Sequence, residues 1–331
     1  MQLLRALLRP NACGTDTMNG FRALIFSLSL AAIAIQPAGA VPPGQVSWTA
    51  RAVCEYRAIA AMHPDPKLRN GDSLANQFCG PVRLPRDYEA ARDVMDDNLE
   101  AYAGYFLVNA RTHHIDRWVE RAAARGAQQV VILGAGFDSR AYRFAGRYPQ
   151  LRFFEVDLPS TIDAKHQVVK RVMGSVPTGV HYVPIDFDTQ SLATALTISG
   201  YRASDKTLFI LEGVTMYVTV AANDATLDFV AQHAAPGSVV VFDYVHRRVI
   251  EGDTAGLYAV GAEARGVALV GEPFVTGWSP AEAAAFTRRH GLVVIDNLGT
   301  SDLMHRYLIG SDGKVDGRLP DAHGVIDAQV P

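Results

Sequence analysis

The run Val130 to Leu133 followed by Gly134-Ala135-Gly136-Phe137-Asp138-Ser139-Arg140 constrains this chain more than any other segment. Four apolar, largely β-branched residues end in Gly-Ala-Gly, and a helix-compatible stretch, Arg140 to Ala145, follows. The pattern predicts a buried parallel strand that turns sharply into a helix. Glycine lets the backbone approach a ligand closely, and the helix start offers free N–H groups at the positive end of its dipole. Nucleotide-like cofactors bind at such turns. The dinucleotide fingerprint G-x-G-x-x-G is incomplete, because Ser139 stands at the third glycine.

From Gln128 onward the pattern alternates strands with helices. The predicted strands are Val130 to Leu133, Arg152 to Val156, His181 to Ile185, Leu208 to Leu211 and Ser238 to Asp243, then a sixth from Gly291 through Ile295 and a seventh at Arg306 to Ile309. Helices are predicted at Thr161 to Met173, Asp224 to Ala235 and Pro280 to His290. Such alternation predicts an α/β fold with a parallel, doubly wound sheet. The connection 246–279 is longer than an ordinary loop and predicts a substrate lid or helical insertion. Upstream, Ser47 to Met62, Tyr88 to Gly104 and Val108 to Arg125 read as helices, with Gly126 placed to cap the last. Residues 46–127 thus form a helical part ahead of the core at 128–310, and 41–331 reads as one domain.

A chain of 331 residues with 49% hydrophobic and 20% charged content is long enough and apolar enough for a substantial core. Its net charge of −3 and the lack of any long basic run argue against a nucleic-acid partner. No C-x-x-C or H-E-x-x-H spacing occurs, so no metal is expected.

In open parallel sheets, ligands sit beyond the carboxyl ends of the strands. An acid stands near the end of each of predicted strands two to five: Asp157, Asp186, Glu212 and Asp243. A single such acid reads as a helix cap or a solvated loop residue; four in a row point to a ligand. Asp157 lies about twenty residues beyond the glycines, where a carboxylate accepts both ribose hydroxyls of either NAD or S-adenosylmethionine. Asp186 suits an adenine amino group, and Glu212 the cationic end of a ligand. Phosphates call for N–H groups, Lys and Arg instead. The acidic row therefore favours S-adenosylmethionine over NAD. Tyr217, Tyr244 and His246 follow the fourth and fifth strands, where packing or substrate positioning both suit them, and no catalytic base is assigned.

Several segments together resemble the leucine carboxyl methyltransferase family. Val131 to Arg143 is similar to its glycine motif, Phe154-Glu155-Val156-Asp157-Leu158-Pro159 with Lys165 to its second motif, Ile185-Asp186-Phe187 to its third, and Leu211 to Tyr217 to its fourth. Gly271-Glu272-Pro273-Phe274 with Gly277-Trp278 resembles a segment of the family's bacterial branch. The resemblance covers Trp48 to Gly310. It implies a class I methyltransferase fold, Rossmann-like, with a seven-stranded sheet, an antiparallel last strand and an N-terminal helical addition. It also implies S-adenosyl-L-methionine-dependent O-methylation of a carboxylate or hydroxyl on a small molecule or peptide terminus. Gly134 and Gly136 would lie against the methionine moiety, Asp157 on the ribose, Asp186 with Phe187 on the adenine and Glu212 near the methionine amino group. Arg111, which alone reads as a solvated helix residue, stands where the family binds the cofactor carboxylate, and Arg57 is a looser match. Two alternatives stand beside this reading: a nicotinamide-dependent oxidoreductase and a non-catalytic binding protein on the same fold.

Residues 1–40 read differently. From Met18 the chain runs Met-Asn-Gly-Phe-Arg, then uncharged from Ala23 to Ile35, then Ala38-Gly39-Ala40. That is the order of a secretory signal peptide or an uncleaved anchor, and a start at Met18 or later is a third reading. The apolar stretch is shorter than the ~20 residues of a membrane span. This segment points to export or tethering, whereas the supply of S-adenosylmethionine points to the cytoplasm. Cys54 and Cys79 read equally as a disulfide in an oxidising compartment or as two buried thiols.

Overall fold

The alternating segments assemble into a seven-stranded sheet. The computed structural model describes residues 47–79, 84–186 and 190–331, all within one compact unit. Four helices come first: α1 (Trp48–Ala60), α2 (Ala75–Phe78), α3 (Tyr88–Asp96) and α4 (Ala103–Ala124). The core follows as β1 (Gln129–Leu133), α5 (Arg140–Ala145), β2 (Arg152–Asp157), α6 (Pro159–Met173), β3 (Val180–Pro184), α7 (Leu192–Ile198), β4 (Thr207–Leu211), α8 (Val220–His233) and β5 (Val239–Val245). The chain continues through α9 (Arg247–Ile250), α10 (Val260–Leu269), α11 (Pro280–Arg289), β6 (Val293–Gly299), α12 (Thr300–Tyr307) and β7 (His323–Gln329). The strand order is β3-β2-β1-β4-β5-β7-β6. The first five strands are parallel, and β7 runs antiparallel between β5 and β6. This is the class I methyltransferase arrangement that the resemblance implied.

Strand alternation sorts the core into two faces. Val130 and Ile132 of β1 join Leu208 and Ile210 of β4 on the face covered by α4, α5 and α12. Val131 and Leu133 join Phe209 and Leu211 on the face covered by α7, α8 and α11. Both faces are filled, which is why β1 from Val130 and β4 from Leu208 are continuously apolar rather than alternating. Each strand therefore ends at one edge of a rigid slab, and the loops beyond those ends are held in place by it.

Three expectations need correction. The sheet is mixed, not wholly parallel. The expected seventh strand at Arg306 to Ile309 is instead the end of α12 and the residues after it; the strand is His323–Gln329, and β6 extends to Gly299. Strand β7 escaped the apolar pattern because His323 and Asp327 lie within it, each buried by a polar partner distant in sequence. Asp327 bonds His114 of α4 at 2.8 Å, and His323 bonds Glu263 of α10 at 2.9 Å. The expected helix Tyr88 to Gly104 is interrupted after Asp96, where the Asn98 side chain accepts from the Ala101 N–H and holds a turn. The segment 1–40 and Phe187 lie outside the described residues. Among the described residues, no helix is long and apolar enough to cross a membrane. Cys54 on α1 and Cys79 beside α2 form a disulfide, with Cα atoms 5.4 Å apart.

Candidate functional site

The turn after β1 is built so that only glycine fits. Gly134 has φ +66°, and a Cβ there would meet Val214 Cγ2 at 2.5 Å. Gly136 has φ +41°, with Ala50 of α1 at 3.4 Å from where its Cβ would stand. Between them, the Ala135 N–H donates to Val156 of β2 at 3.0 Å. The Ala135 carbonyl accepts from Lys165 Nζ at 3.2 Å, and that ammonium is also held by Glu155 Oε1 at 2.6 Å. Lys165 and Glu155 are both fully buried, so this ion pair clamps the turn onto β2 and α6.

Asp157 closes the turn from the other side. Its Oδ2 accepts the Gly136 N–H at 2.7 Å, and its Oδ1 the Leu158 N–H at 2.7 Å. Burial raises its pKa above the usual value, and these two backbone bonds pull the other way. A carboxylate has about four acceptor positions, so lone pairs remain for a vicinal diol. Asp186 follows β3, its backbone N–H held by Gln190 Oε1 at 2.9 Å.

Beyond β4 stands a network of arginines and acids. Glu212 accepts from Arg57 Nη2 at 2.6 Å, from Arg111 Nε at 2.9 Å and from Arg140 Nη1. Arg111 also bonds Asp243, whose Oδ1 receives the Gly213 N–H at 2.6 Å. Arg140 further bonds Asp138 at 2.6 Å and Asp116 at 2.7 Å. All three arginines are buried, with Arg140 at 0% exposure. Burial alone would raise the Glu212 pKa, but Arg140, Arg57 and Arg111 outweigh it and hold the carboxyl well below the usual range. Two guanidinium donors, Arg57 Nε and Arg140 Nη2, are buried without a partner. An unpaired buried donor is costly, so these two fit an anionic ligand group that satisfies them. The carboxylate of S-adenosylmethionine is such a group.

The site is roofed by α1 and the insertion. Glu272 takes the N–H groups of Trp48 at 2.8 Å and Thr49 at 3.2 Å, and both hydroxyls of Ser47 and Thr49. A carboxylate on a helix N-terminus is favourable, and here it ties α1 to a segment more than two hundred residues away. Tyr217, after β4, packs on Phe274 of the insertion with ring centroids 5.3 Å apart.

The structure brings Gly134, Gly136 and Asp157 together at one turn, and joins Arg111 directly to Glu212. The reading of the acids as a bare anionic row does not hold, because Glu212 and Asp243 are already taken by guanidinium groups. Arg140, read from sequence only as a helix start, and Asp243, read only as a strand-end acid, belong to this network. The available signal was position: Arg140 immediately follows the glycine motif, and Asp243 ends the strand beside Glu212. Arg57, a loose match in sequence, is seated on Glu212 by the fold.

Residues 50–231 match the leucine carboxyl methyltransferase family model. A Mycobacteroides abscessus protein named for S-adenosyl-L-methionine-dependent methyl transfer is 31% identical over 211 residues, which are 62% of this chain and 69% of that protein. A Streptomyces coelicolor protein named likewise is 33% identical over 223 residues, 65% of this chain and 75% of that one. Among solved structures, a DUF574-family protein of Streptomyces avermitilis superposes with a TM-score of 0.55 at 16% identity, covering 85% of this chain and 97% of its own. That last likeness establishes the fold.

Proposed function

The chain belongs to the leucine carboxyl methyltransferase family and is an S-adenosyl-L-methionine-dependent methyltransferase, and from that premise we propose that it methylates an oxygen atom of a small molecule or peptide terminus. The nicotinamide alternative loses its footing with the family. The observation that carries our account of the site is the pair of unpartnered donors, Arg57 Nε and Arg140 Nη2, buried beside Glu212. Both arginines hold Glu212 just beyond the carboxyl end of β4, and their free donors would serve there as an anion seat. The methionine carboxylate of the co-substrate would take this seat, Glu212 would hold the guanidinium groups around it, and Asp157 would bind the ribose. Asp186 and Phe187 would flank the adenine.

Methyl transfer to oxygen is an in-line displacement at a carbon already activated by sulfonium. The protein's task is alignment and exclusion of water. The Glu272 cap on α1 supports the second role, because it draws the helix over the turn.

The test compares S-adenosylhomocysteine with 5′-methylthioadenosine, which lacks the amino acid group, by calorimetry. Hydrogen bonds to a charged group contribute ~1.5–3 kcal/mol each, so losing two predicts a ~100-fold or greater loss of affinity. Equal affinities would remove the anion seat. Transfer from tritiated S-adenosylmethionine, followed by alkali, separates labile methyl esters from stable ethers.

A further inference from the structure

His323 opens β7 directly opposite Val245 of β5, and Asp243 is paired with Val325. Residues facing each other in an antiparallel pair share a face, so His323 lies on the face of the sheet that carries Asp243 and its partner Arg111. His323 and Asp243 are diagonal neighbours, at the ~7–8 Å that such positions have. The imidazole is 3% exposed. Its Nε2 lies 2.9 Å from Glu263 Oε2 of α10. A carboxylate only accepts, so Nε2 carries a proton, and in the neutral imidazole Nδ1 then presents a lone pair. Nδ1 is buried with no hydrogen-bond partner.

An orphaned acceptor on an oriented histidine, at the ligand edge of the sheet, calls for a donor from outside the chain. We propose that His323 is the general base for the methyl acceptor, that Glu263 positions it, and that the acceptor is an aromatic hydroxyl. This rests on the methyltransferase reading above. A carboxylate acceptor is already ionised near neutral pH and has no proton to give, whereas a phenol does. The surroundings suit an aromatic ring: Met216, Val245 and Val260 form an apolar cluster with Tyr217, Leu257 and Phe274 packed on it. Glu263 also acts on Tyr217 and on Tyr56 of α1, whose phenols are raised chiefly by burial.

In the step, the acceptor oxygen forms its bond to the methyl carbon as the carbon–sulfur bond breaks, and that electron pair stays on sulfur. The hydroxyl proton passes to His323 Nδ1 and then to solvent. The products are the methyl ether, S-adenosylhomocysteine and one proton.

The probes are phenol, catechol and 1-naphthol, with benzoate as the carboxylate counterpart, offered to the full chain. We expect alkali-stable methyl ethers from a phenol. His323→Gln should lower kcat by about 10²–10⁴-fold while the S-adenosylhomocysteine Kd stays within twofold. On ¹⁵N-histidine-labelled protein holding S-adenosylhomocysteine, the phenol should shift the His323 Nδ1 resonance. Glu263→Gln should redistribute the His323 tautomers in the same spectra and lower kcat more than it raises KM. Transfer to benzoate alone, no transfer to any phenol, or kcat within threefold in His323→Gln would each overturn the assignment. If wild-type protein fails to bind S-adenosylhomocysteine at all, the underlying methyltransferase site falls, and this inference with it.

Discussion

Glu212→Gln removes one charge from the middle of three buried guanidinium groups and leaves the side-chain shape almost unchanged. In the wild type, its oxygens receive Arg57 at 2.6 Å, Arg111 at 2.9 Å and Arg140. The amide of glutamine keeps one acceptor and turns an N–H₂ donor towards donors. Removing one partner of a buried ion pair costs about 3–5 kcal/mol, because the remaining charge is left uncompensated. Here Asp243 still serves Arg111, and Asp138 and Asp116 still serve Arg140, so the lower half of that range is expected. Over the roughly 280 described residues, at ~2.1 cal/mol/K each, the unfolding entropy is ~0.6 kcal/mol/K, and the loss corresponds to a Tm drop of about 5–7 °C.

The effect has a pH signature. The Glu212 pKa is depressed below its ordinary value of 4.5 by folding. Its contribution is therefore complete above that value and is lost as the pH falls through the depressed one. Calorimetry or urea midpoints from pH 7 down towards pH 4 should show a full gap between wild type and variant at neutral pH. The gap should narrow only on the acid side of 4.5. A gap under 2 °C at pH 7, or a Tm difference that widens in acid, would refute the idea that these arginines depend on Glu212.

Asp157→Ala should weaken S-adenosylhomocysteine binding at least tenfold by calorimetry, since each hydrogen bond to its charge contributes ~1.5–3 kcal/mol; an unchanged Kd would mean that the ribose lies elsewhere. Gly136→Val should abolish that binding, because φ +41° and the neighbouring Ala50 leave a branched side chain neither a relaxed backbone nor space; retained affinity would refute the close approach. Cys54→Ser with Cys79→Ser opens a loop of 25 residues, for which chain entropy predicts a loss of ~3.5 kcal/mol. Denaturant midpoints should fall accordingly, and reduction of the wild type should reproduce the change.

Much of the core was legible because the parallel strands are buried on both faces and read as short apolar runs. Val130 to Leu133 and Leu208 to Leu211 are of this kind, and Gly134 and Glu212 follow directly at their ends. Strand β7 was hidden because a polar residue in a strand usually signals exposure, and here His323 and Asp327 are buried by Glu263 and His114. The charge of the site was illegible for a related reason. Sequence showed acids at successive strand ends, but the arginines that neutralise them arrive from α1, α4 and α5. Arg111 illustrates the limit: in a helical pattern it has the spacing of a solvated residue, and only tertiary packing brings it to 4% exposure between Glu212 and Asp243.

The insertion of β7 between β5 and β6 imposes an order on biosynthesis. On the ribosome, β6 emerges before the strand that binds it, and it pairs with no other strand in the finished sheet. Until residues 323–329 appear, β5 offers an unpaired edge, and β6 has no place in the sheet. Free strand edges recruit strands from other chains. The nascent protein is thus most vulnerable to aggregation in the interval between 299 and 323. A chaperone that shields β5 during that interval should raise the yield of folded protein more than one acting on the finished chain.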